Sequence, residues 1–560
     1  MMDQEVNVGR RLAQTARRNP AGIAVIQAGK PGIRGVRPYQ QCTFKQLEDD
    51  SNLVADGLRD MGIQPGMRLV LMVRPGIDFI SLVFAMLKAG IVAVLVDPGM
   101  GRAALLRCLQ EVEPDGFVAI PLAHAVRCLF RRRFPQSRFH VTVGRRWFWD
   151  GPTLTDLRQR ELSQDFQSVA TRAHDPAAII FTTGSTGPPK GVLYRHGNFD
   201  SQVDELRECY AIEPGEIDLA GFPLFGLFNC AMGVTTVVPF MDPTRPATVD
   251  PRNIIEPIRQ WQVTQSFGSP ALWNVVGRYC EEHSVRLPSL KRVLSAGAPV
   301  PPHVLRRMKN VIHPDGDIHT PYGATESLPV ASISASEVLS ETAVRSQDGA
   351  GTCVGRRFPQ IDWKIIRIED GPIATIEQAQ ELSQGQIGEI IVQGPVVTTE
   401  YVTGTQANPL HKIADGDRFW HRIGDLGYLD KDDRLWFCGR KAHRVLTPSG
   451  PMYSVPCEAI LNNHEAVYRS ALVGVGTPGT QVPVFVVEPW PKRFPTHSQG
   501  RQQLLQELRE LASSHPLTRD VQTILLHRSL PVDIRHNAKI SREKLAVWAS
   551  KFVRSPSSPP

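Results

Sequence analysis

Residues 69–97 read LVLMVRPGIDFISLVFAMLKAGIVAVLVD. A short apolar run is followed by a turn at Pro75-Gly76. A stretch long enough for a helix comes next, then a second apolar run ending at Asp97-Pro98. Strands without a polar face are strands buried on both sides, and a helix between two of them lets them lie parallel. The stretch therefore predicts a βαβ unit. The same alternation recurs outward from it. Phe117–Ile120, Ala177–Phe181, Gln265–Gly268 and Arg292–Ser295 are each apolar runs beside a helical pattern, which predicts parallel sheets covered by helices.

From about Gly351 the runs shorten and turns separate them (DWKIIRIED, GEIIVQG, GYLDKDDRLWFCG), as in a small antiparallel module. After Gly439-Arg440 comes a last unit with strands RSALVGVG and VPVFVVEP, a helix over 502–513 and a basic final helix. The expected fold class is α/β. A large N-terminal domain of stacked, helix-covered sheets spans 1–439 and includes a β-rich, barrel-like module at about 351–439. A small mobile α+β domain spans 440–552, and the tail 553–560 (VRSPSSPP) is disordered.

Composition narrows the function classes. A chain of 560 residues is too long for one core at ~150 residues per domain. A hydrophobic share of 42% excludes a wholly disordered chain, and 45 Gly with 45 Pro speak against a coiled coil. A net charge of +7 over this length is too mild to imply nucleic acid. The nine cysteines contain no C-x-x-C, so neither a disulfide framework nor a zinc knuckle is expected, and buried thiols in a reducing cytoplasm are. The first twenty residues have no apolar core and no signal-peptide pattern. Residues 219–241 are uncharged and long enough to span a bilayer, yet Pro223, Gly226, Asn229, Gly233 and Pro239 interrupt them. They read as the wall of an apolar pocket rather than a transmembrane segment. Residues 127–146 hold seven arginines and no acid, interleaved with Phe130, Phe134 and Phe139 and followed by Trp147 and Phe148. That segment is either a solvated surface or a peripheral surface that meets anionic lipid or a partner protein.

Residues 179–196, IIFTTGSTGPPKGVLYRH, carry the most chemistry. A buried strand ends at Phe181. Thr182, Thr183, Gly184, Ser185, Thr186 and Gly187 then offer hydroxyls and exposed N–H groups, and Lys190 adds a mobile charge. Glycines let a backbone close around an anion, so this is phosphate-binding chemistry. It is not the P-loop, because Pro189 precedes Lys190 and Gly191 follows it. The G-x-G-x-x-G at 474–479 is followed by a strand instead of a helix, so the dinucleotide reading fails. There is no G-x-S-x-G elbow.

FTTGSTGPPKG resembles the signature loop of AMP-forming adenylating enzymes, the group of acyl-CoA synthetases, luciferases and peptide-synthetase adenylation domains. Five more stretches resemble that family's motifs in its order: SAGAP at 295–299, YGATE at 322–326, IGDL at 423–426, Gly439-Arg440, and PVDIRHNAKISREKL at 531–545. The resemblance implies ATP and Mg²⁺ as cofactors. It assigns the 182–187 loop and Lys190 to the β- and γ-phosphates. Gly297, Ala298, Pro299, Tyr322 and Gly323 fall at the adenine. Thr325 falls at the α-phosphate and Glu326 at the metal. Asp425 takes the ribose hydroxyls, and Arg440 sits by ribose and phosphate. Lys539 bridges the substrate carboxylate and the α-phosphate, two anions that repel each other without a cation between them. Thr325, Glu326 and Lys539 are the expected catalytic residues. Phe222, Phe225, Gly226 and Phe228 are the expected acyl pocket.

Three departures from the family bear on substrate. Gly226 stands where acyl-CoA synthetases usually carry His, which either leaves room for a bulky acyl group or serves a turn. Ala442 replaces the usual Asp or Lys of the junction. The loop 449–458 lacks the usual basic residue, which puts transfer to CoA in doubt but not adenylation. Residues 95–102 and 450–458 resemble one branch of the family. Its members activate a long-chain 2-alkyl-3-hydroxy acid with ATP and close it to a β-lactone in bacterial olefin biosynthesis, beside a dehydrogenase and a hydrolase-fold decarboxylase. The alternatives are a long-chain acyl-CoA ligase and a non-catalytic scaffold of a pathway complex. His196 and His319 are candidate bases for the hydroxyl, each with a structural role as its alternative.

Overall fold

The computed structural model describes residues 5–32, 36–164, 166–182, 188–532 and 540–553. The 69–97 stretch forms strand Arg68–Met72, helix Ile77–Lys88 and strand Val92–Leu95, with the two strands parallel. The helix is buried from Phe79 through Lys88, which is why its sequence has no polar face. Lys88 at its end is fully buried. Its ammonium pairs with Glu48 at 2.6 Å and donates to Ser51 and Asn52 at 2.7 Å.

The unit sits in a six-stranded sheet in the order Phe139–Thr142, Gly116–Ala119, Arg68–Met72, Val92–Leu95, Pro176–Phe181, Gly191–Arg195. The first five are parallel and the last is antiparallel. The carboxyl ends of the parallel strands therefore share one edge, and Thr182 leaves the sheet there. Ligands of open α/β sheets bind at that edge.

The second sheet has 14 strands. Ile23–Ala28, Thr235–Val238, Ile217–Ala220, Gln265–Gly268, Arg292–Ser295 and Asp317–Ala324 are parallel neighbours in that order. A hairpin, Asp317–Ala324 with Ser327–Ser334, then turns the sheet antiparallel. Strand Ser327–Ser334 pairs with Thr352–Arg357, which leads through Leu435–Arg440 and Arg418–Leu429 to Gly388–Gln393 and Asp362–Ile366. The β-rich stretch is thus hydrogen-bonded to the parallel sheet as one ladder. The apolar segment 219–241 is divided into strand Ile217–Ala220, helix Pro223–Met232 and strand Thr235–Val238. Among the described residues no helix is long and apolar enough to cross a membrane. Cys209 is exposed and Cys128 half-buried, and the other seven cysteines are buried and unbridged.

Beyond Arg440 the chain builds a three-stranded sheet from Val467–Val475, Val482–Pro489 and Thr523–Leu526. Gly474 is still in the first strand, and Gly476–Gln481 make the hairpin turn, as the following strand required. Alternate side chains serve opposite faces. Leu472, Phe485 and Val487 pack with helices Ser454–Asn462 and Ser498–Ser513, while Val473, Val484 and Val486 pack with helix Arg542–Ala549. The last helix is also held by charge. Arg542 donates to both oxygens of buried Glu458 at 2.8 and 2.7 Å, and Glu458 accepts Leu472 N–H at 2.8 Å. Removing one partner of a buried pair leaves the other desolvated and uncompensated. Arg542→Met should therefore cost about 3 kcal/mol in urea unfolding of this part of the chain. An unchanged midpoint would show that Glu458 does not depend on it.

Candidate active site

Three strands bring three of the expected residues together. Asp425 on Arg418–Leu429 lies directly across the ladder from Arg440 on Leu435–Arg440. Its carboxylate is 3.0 Å from Arg440 Nη1 and accepts the Tyr322 phenol at 2.6 Å. Tyr322 reaches it from the 317–334 hairpin, with its ring 6.1 Å from Phe437. The next residue must be Gly323, because a Cβ there would lie 2.5 Å from the Ser327 carbonyl. Burial, reinforced by the Asp425 charge, pushes the Tyr322 phenol well above its ordinary value. The same carboxylate raises Arg440. An aromatic face, a buried carboxylate and a guanidinium thus share one recess.

A second cluster adjoins the turn of that hairpin. Tyr194 donates to the Thr325 carbonyl at 2.5 Å, and Tyr401 donates to Glu326 Oε1 at 2.6 Å. The Lys190 ammonium stands 4.7 Å above the Tyr401 ring and 3.2 Å from His411 Nε2. His411 Nδ1 lies 3.2 Å from the Arg422 carbonyl, so Nδ1 carries the proton and Nε2 accepts from Lys190. Thr182 and Lys190 bond each other across the loop base: Thr182 N–H to the Lys190 carbonyl at 2.9 Å and Lys190 N–H to Thr182 Oγ1 at 3.2 Å. Burial lowers both Lys190 and His411, with Glu326 opposing the shift in each. The residues between the two ends of that loop, Thr183, Gly184, Ser185, Thr186 and Gly187, lie outside the described residues. So does Lys539. Gly297, Ala298 and Pro299 follow strand Arg292–Ser295 and precede helix Pro302–Lys309, at the carboxyl edge of the large sheet.

Reading the sequence missed Tyr401, His411 and Lys412. None belongs to a motif or a periodic face, and only the return of 398–412 beside strand Gly191–Arg195 brings them in (Val402 N–H to the Gly191 carbonyl, 2.8 Å). Lys412 is half-buried, and its ammonium donates to the Thr398 carbonyl. Thr398 in turn donates through N–H and hydroxyl to the Glu326 carbonyl at 2.9 and 3.0 Å. Burial brings the Lys412 ammonium down to about 7.

An apolar cavity begins at Ala296 and Pro321, next to Tyr322, and is walled by Leu206, Phe228, Met232, Phe267 and Leu294. Asp218 lines it, holding Asn229 at 2.7 Å, and burial raises its carboxyl to about 7. The cavity offers about 50 Å³ to the centres of water molecules, several times the roughly 10–15 Å³ that one water needs on that measure. Met232, an unbranched side chain, is its most adaptable wall.

Two sequence expectations need correction. Phe228 lines the cavity, but Gly226 does not. It faces the sheet, where a Cβ would meet Thr236 Cγ2 at 3.0 Å and Ala220 Cβ at 3.2 Å. Its missing side chain allows helix Pro223–Met232 to approach the strands, and it adds no acyl volume. Phe222 is partly exposed, with its ring 6.5 Å from Phe267, and the Phe225 side chain lies outside the described residues. The second correction concerns the candidate bases. His196 is fully buried at the start of a helix, and burial lowers it to about 4. His319 packs on Tyr210 at 5.2 Å. His196 thus fits the structural role given as its alternative, while His319 is half-buried and stays a candidate.

Two predictions follow from this geometry. Between about pH 7 and its ordinary 10.5, Lys412 is protonated unfolded and neutral folded. The unfolded state then binds more protons, so this residue makes stability rise with pH across that window. Relative to Lys412→Met, the wild type should gain ~2 kcal/mol from about pH 7 to about pH 9 in urea melts. Parallel pH curves would refute the buried ammonium. Gly226→Trp should destabilise by about 3 kcal/mol through overpacking. A normal melting temperature with selective loss of long substrates would instead return Gly226 to the acyl pocket.

The AMP-binding enzyme family model matches residues 12–402. The chain is 45% identical over 557 residues to an olefin beta-lactone synthetase of Stenotrophomonas maltophilia, covering 98% of this chain and 99% of that one. It is 44% identical over 551 residues to an olefin beta-lactone synthetase of Xanthomonas campestris, covering 97% and 98%. Among solved structures, the amide bond synthetase McbA of Marinactinospora thermotolerans shares the fold. The TM-score is 0.77 at 21% identity, over 97% of this chain and 99% of that one. Matched by that model over most of its length and by those relatives over nearly all of it, this chain belongs to the AMP-binding enzyme family.

Proposed function

We propose that the chain is an ATP-dependent β-lactone synthetase acting on a long-chain 2-alkyl-3-hydroxy acid. The observation that carries this reading is its whole-length likeness, at 44–45% identity, to two olefin beta-lactone synthetases. In the first step a carboxylate oxygen of the acid attacks the α-phosphorus of ATP, and the bond to pyrophosphate breaks. In the second, the 3-hydroxyl oxygen of the same molecule attacks the acyl carbon and gives up its proton. The bond to AMP breaks and a four-membered ring closes. The nucleophile is already tethered, and its effective molarity offsets part of the ring strain.

The residues take the roles that the family resemblance gives them. Tyr322 and the 297–299 turn frame the adenine, and Asp425 accepts the ribose hydroxyls beside Arg440. Lys190 and the 182–187 loop hold the β- and γ-phosphates. Thr325 bonds the α-phosphate. Lys539 bridges it to the substrate carboxylate, the anion pair whose repulsion most needs a cation. The cavity beside Tyr322 takes alkyl chain. Among the described residues no three ligating side chains cluster as a metal cage. That suits Mg²⁺, which takes one or two protein carboxylates and completes its shell with phosphates and water. Glu326, fixed by Tyr401, would be that carboxylate. The ion would supply charge neutralisation on the phosphates. Residues 1–439 would act as the adenylating domain and 440–552 as the part that turns Lys539 toward it. The reaction places the protein after a dehydrogenase, which reduces a 3-keto acid, and before a hydrolase-fold decarboxylase, which consumes the lactone. A cytoplasmic location fits the unbridged cysteines.

Mass spectrometry of the product tests the reading, using a 2-alkyl-3-hydroxy acid with ATP and Mg²⁺, with and without CoA. The expected product is lighter than the acid by one water, forms without CoA and accompanies AMP. A thioester that appears only with CoA would overturn lactonisation and make the protein an acyl-CoA ligase.

A further inference from the structure

Helix Pro121–Leu129 is built inside out. Leu122, Val126 and Leu129 recur at helical spacing and are 66%, 40% and 77% exposed. The opposite face carries His124 and Arg127. His124 is the one buried residue of the helix; its Nε2 donates to the Val141 carbonyl at 2.9 Å. Arg127 is turned inward to His140 Nε2 at 2.9 Å. Burial beside this arginine lowers both histidines to about 4, so Arg127 faces two neutral rings.

A second exposed apolar element adjoins the start of this helix. Trp149 is anchored by donating to Thr142 Oγ1 at 2.8 Å, and its ring packs on His124 at 5.4 Å. Gly144 lies against Pro121, 3.9 Å from ring carbon to a Cβ position. The loop therefore presents Trp147 and Phe148, 54% and 76% exposed, beside the helix. Around them Arg131, Arg132, Arg133, Arg138, Arg145 and Arg146 are all exposed, and residues 116–149 contain no acid. Glu113 and Asp150 flank the patch, and Glu113 shares a surface recess with Arg132 and Arg133.

We infer that this face docks on an anionic lipid bilayer. Apolar and aromatic side chains that protrude amid unpaired-sign arginines match an interface of acyl chain below and phosphate above. The charge selects the occupant: a zwitterionic or neutral apolar partner would leave the excess positive charge of six exposed arginines uncompensated. The position gives the contact a use. The helix and the loop leave the carboxyl ends of strands Gly116–Ala119 and Phe139–Thr142. Those ends lie on the same edge as Thr182, three and four strands away, or about 14 and 19 Å. A chain bound to the membrane through this face holds its phosphate loop close to where water-insoluble acids reside.

Co-sedimentation of the full chain with vesicles tests this without turnover, so it stands or falls apart from the proposed reaction. Phosphatidylcholine vesicles containing phosphatidylglycerol should pull the protein down, phosphatidylcholine alone should not, and salt should weaken the binding. Trp147→Ser with Phe148→Ser should abolish it. Each arginine near an anionic surface strengthens binding about fivefold, so Arg131→Gln, Arg132→Gln and Arg133→Gln together should weaken it about a hundredfold. Unchanged turnover of a short, water-soluble acid would show these variants folded. No binding by the wild type, or equal binding by the variants, would overturn the proposal. So would a Trp147/Phe148 variant that turns an oligomer into a monomer and still binds vesicles, since the face would then join two copies.

Discussion

The Asp425 carboxylate is the point on which the site depends. It is buried, and an isolated charge in that position would cost several kcal/mol. Arg440 and the Tyr322 hydroxyl compensate it, and each arrives on a different strand. The register of Arg418–Leu429 against Leu435–Arg440 sets the first contact, and the turn of the 317–334 hairpin sets the second. A shift of one residue in either strand would turn the partner to the other face of the sheet. The carboxylate thus ties the last parallel strand, the antiparallel ladder and the start of the C-terminal unit into one geometry. The residues just past Arg440 are held to the same ladder: Lys441 pairs with Glu389 at 3.0 Å and Arg444 with Asp370 at 2.6 Å.

The neighbouring cluster works by the opposite imbalance. Lys190, His411 and Lys412 are gathered around a single carboxylate, Glu326, and burial disfavours the charge on each of the three. Such a group is electrostatically unfinished. An anion entering it meets the Lys190 ammonium already positioned and favours the protonated forms of its neighbours. Tyr401 holds Glu326 and carries Lys190 on its ring, so one side chain orients both signs of charge.

Polarity is reversed in two places, and both concern apolar matter. The cavity is mostly apolar, with Gln202, Gln265 and the Asp218–Asn229 pair as its polar lining, and burial raises the Asp218 carboxyl toward neutrality. The Pro121–Leu129 helix puts histidine and arginine inside and leucine and valine outside. A core has no use for either arrangement.

The order of elements was legible in the sequence because it rests on local patterning. The 69–97 unit, the strands at 265–268 and 292–295, and the hairpin that cancels the 474–479 glycine motif all follow from apolar runs, turn residues and spacing. The same holds for Tyr322, Asp425 and Arg440, which stand in contiguous motifs. Tyr401, His411 and Lys412 were not legible, since only the pairing of 398–403 with Gly191–Arg195 brings them to Lys190. Gly226 looked like vacated volume and is a close contact with Thr236 and Ala220, because a sequence does not say which face of a buried helix meets the sheet. The arginine-rich segment showed its charge but not that its leucines point outward. Periodicity along one chain reports which residues share a face, and the partner of that face is chosen by segments far away in sequence.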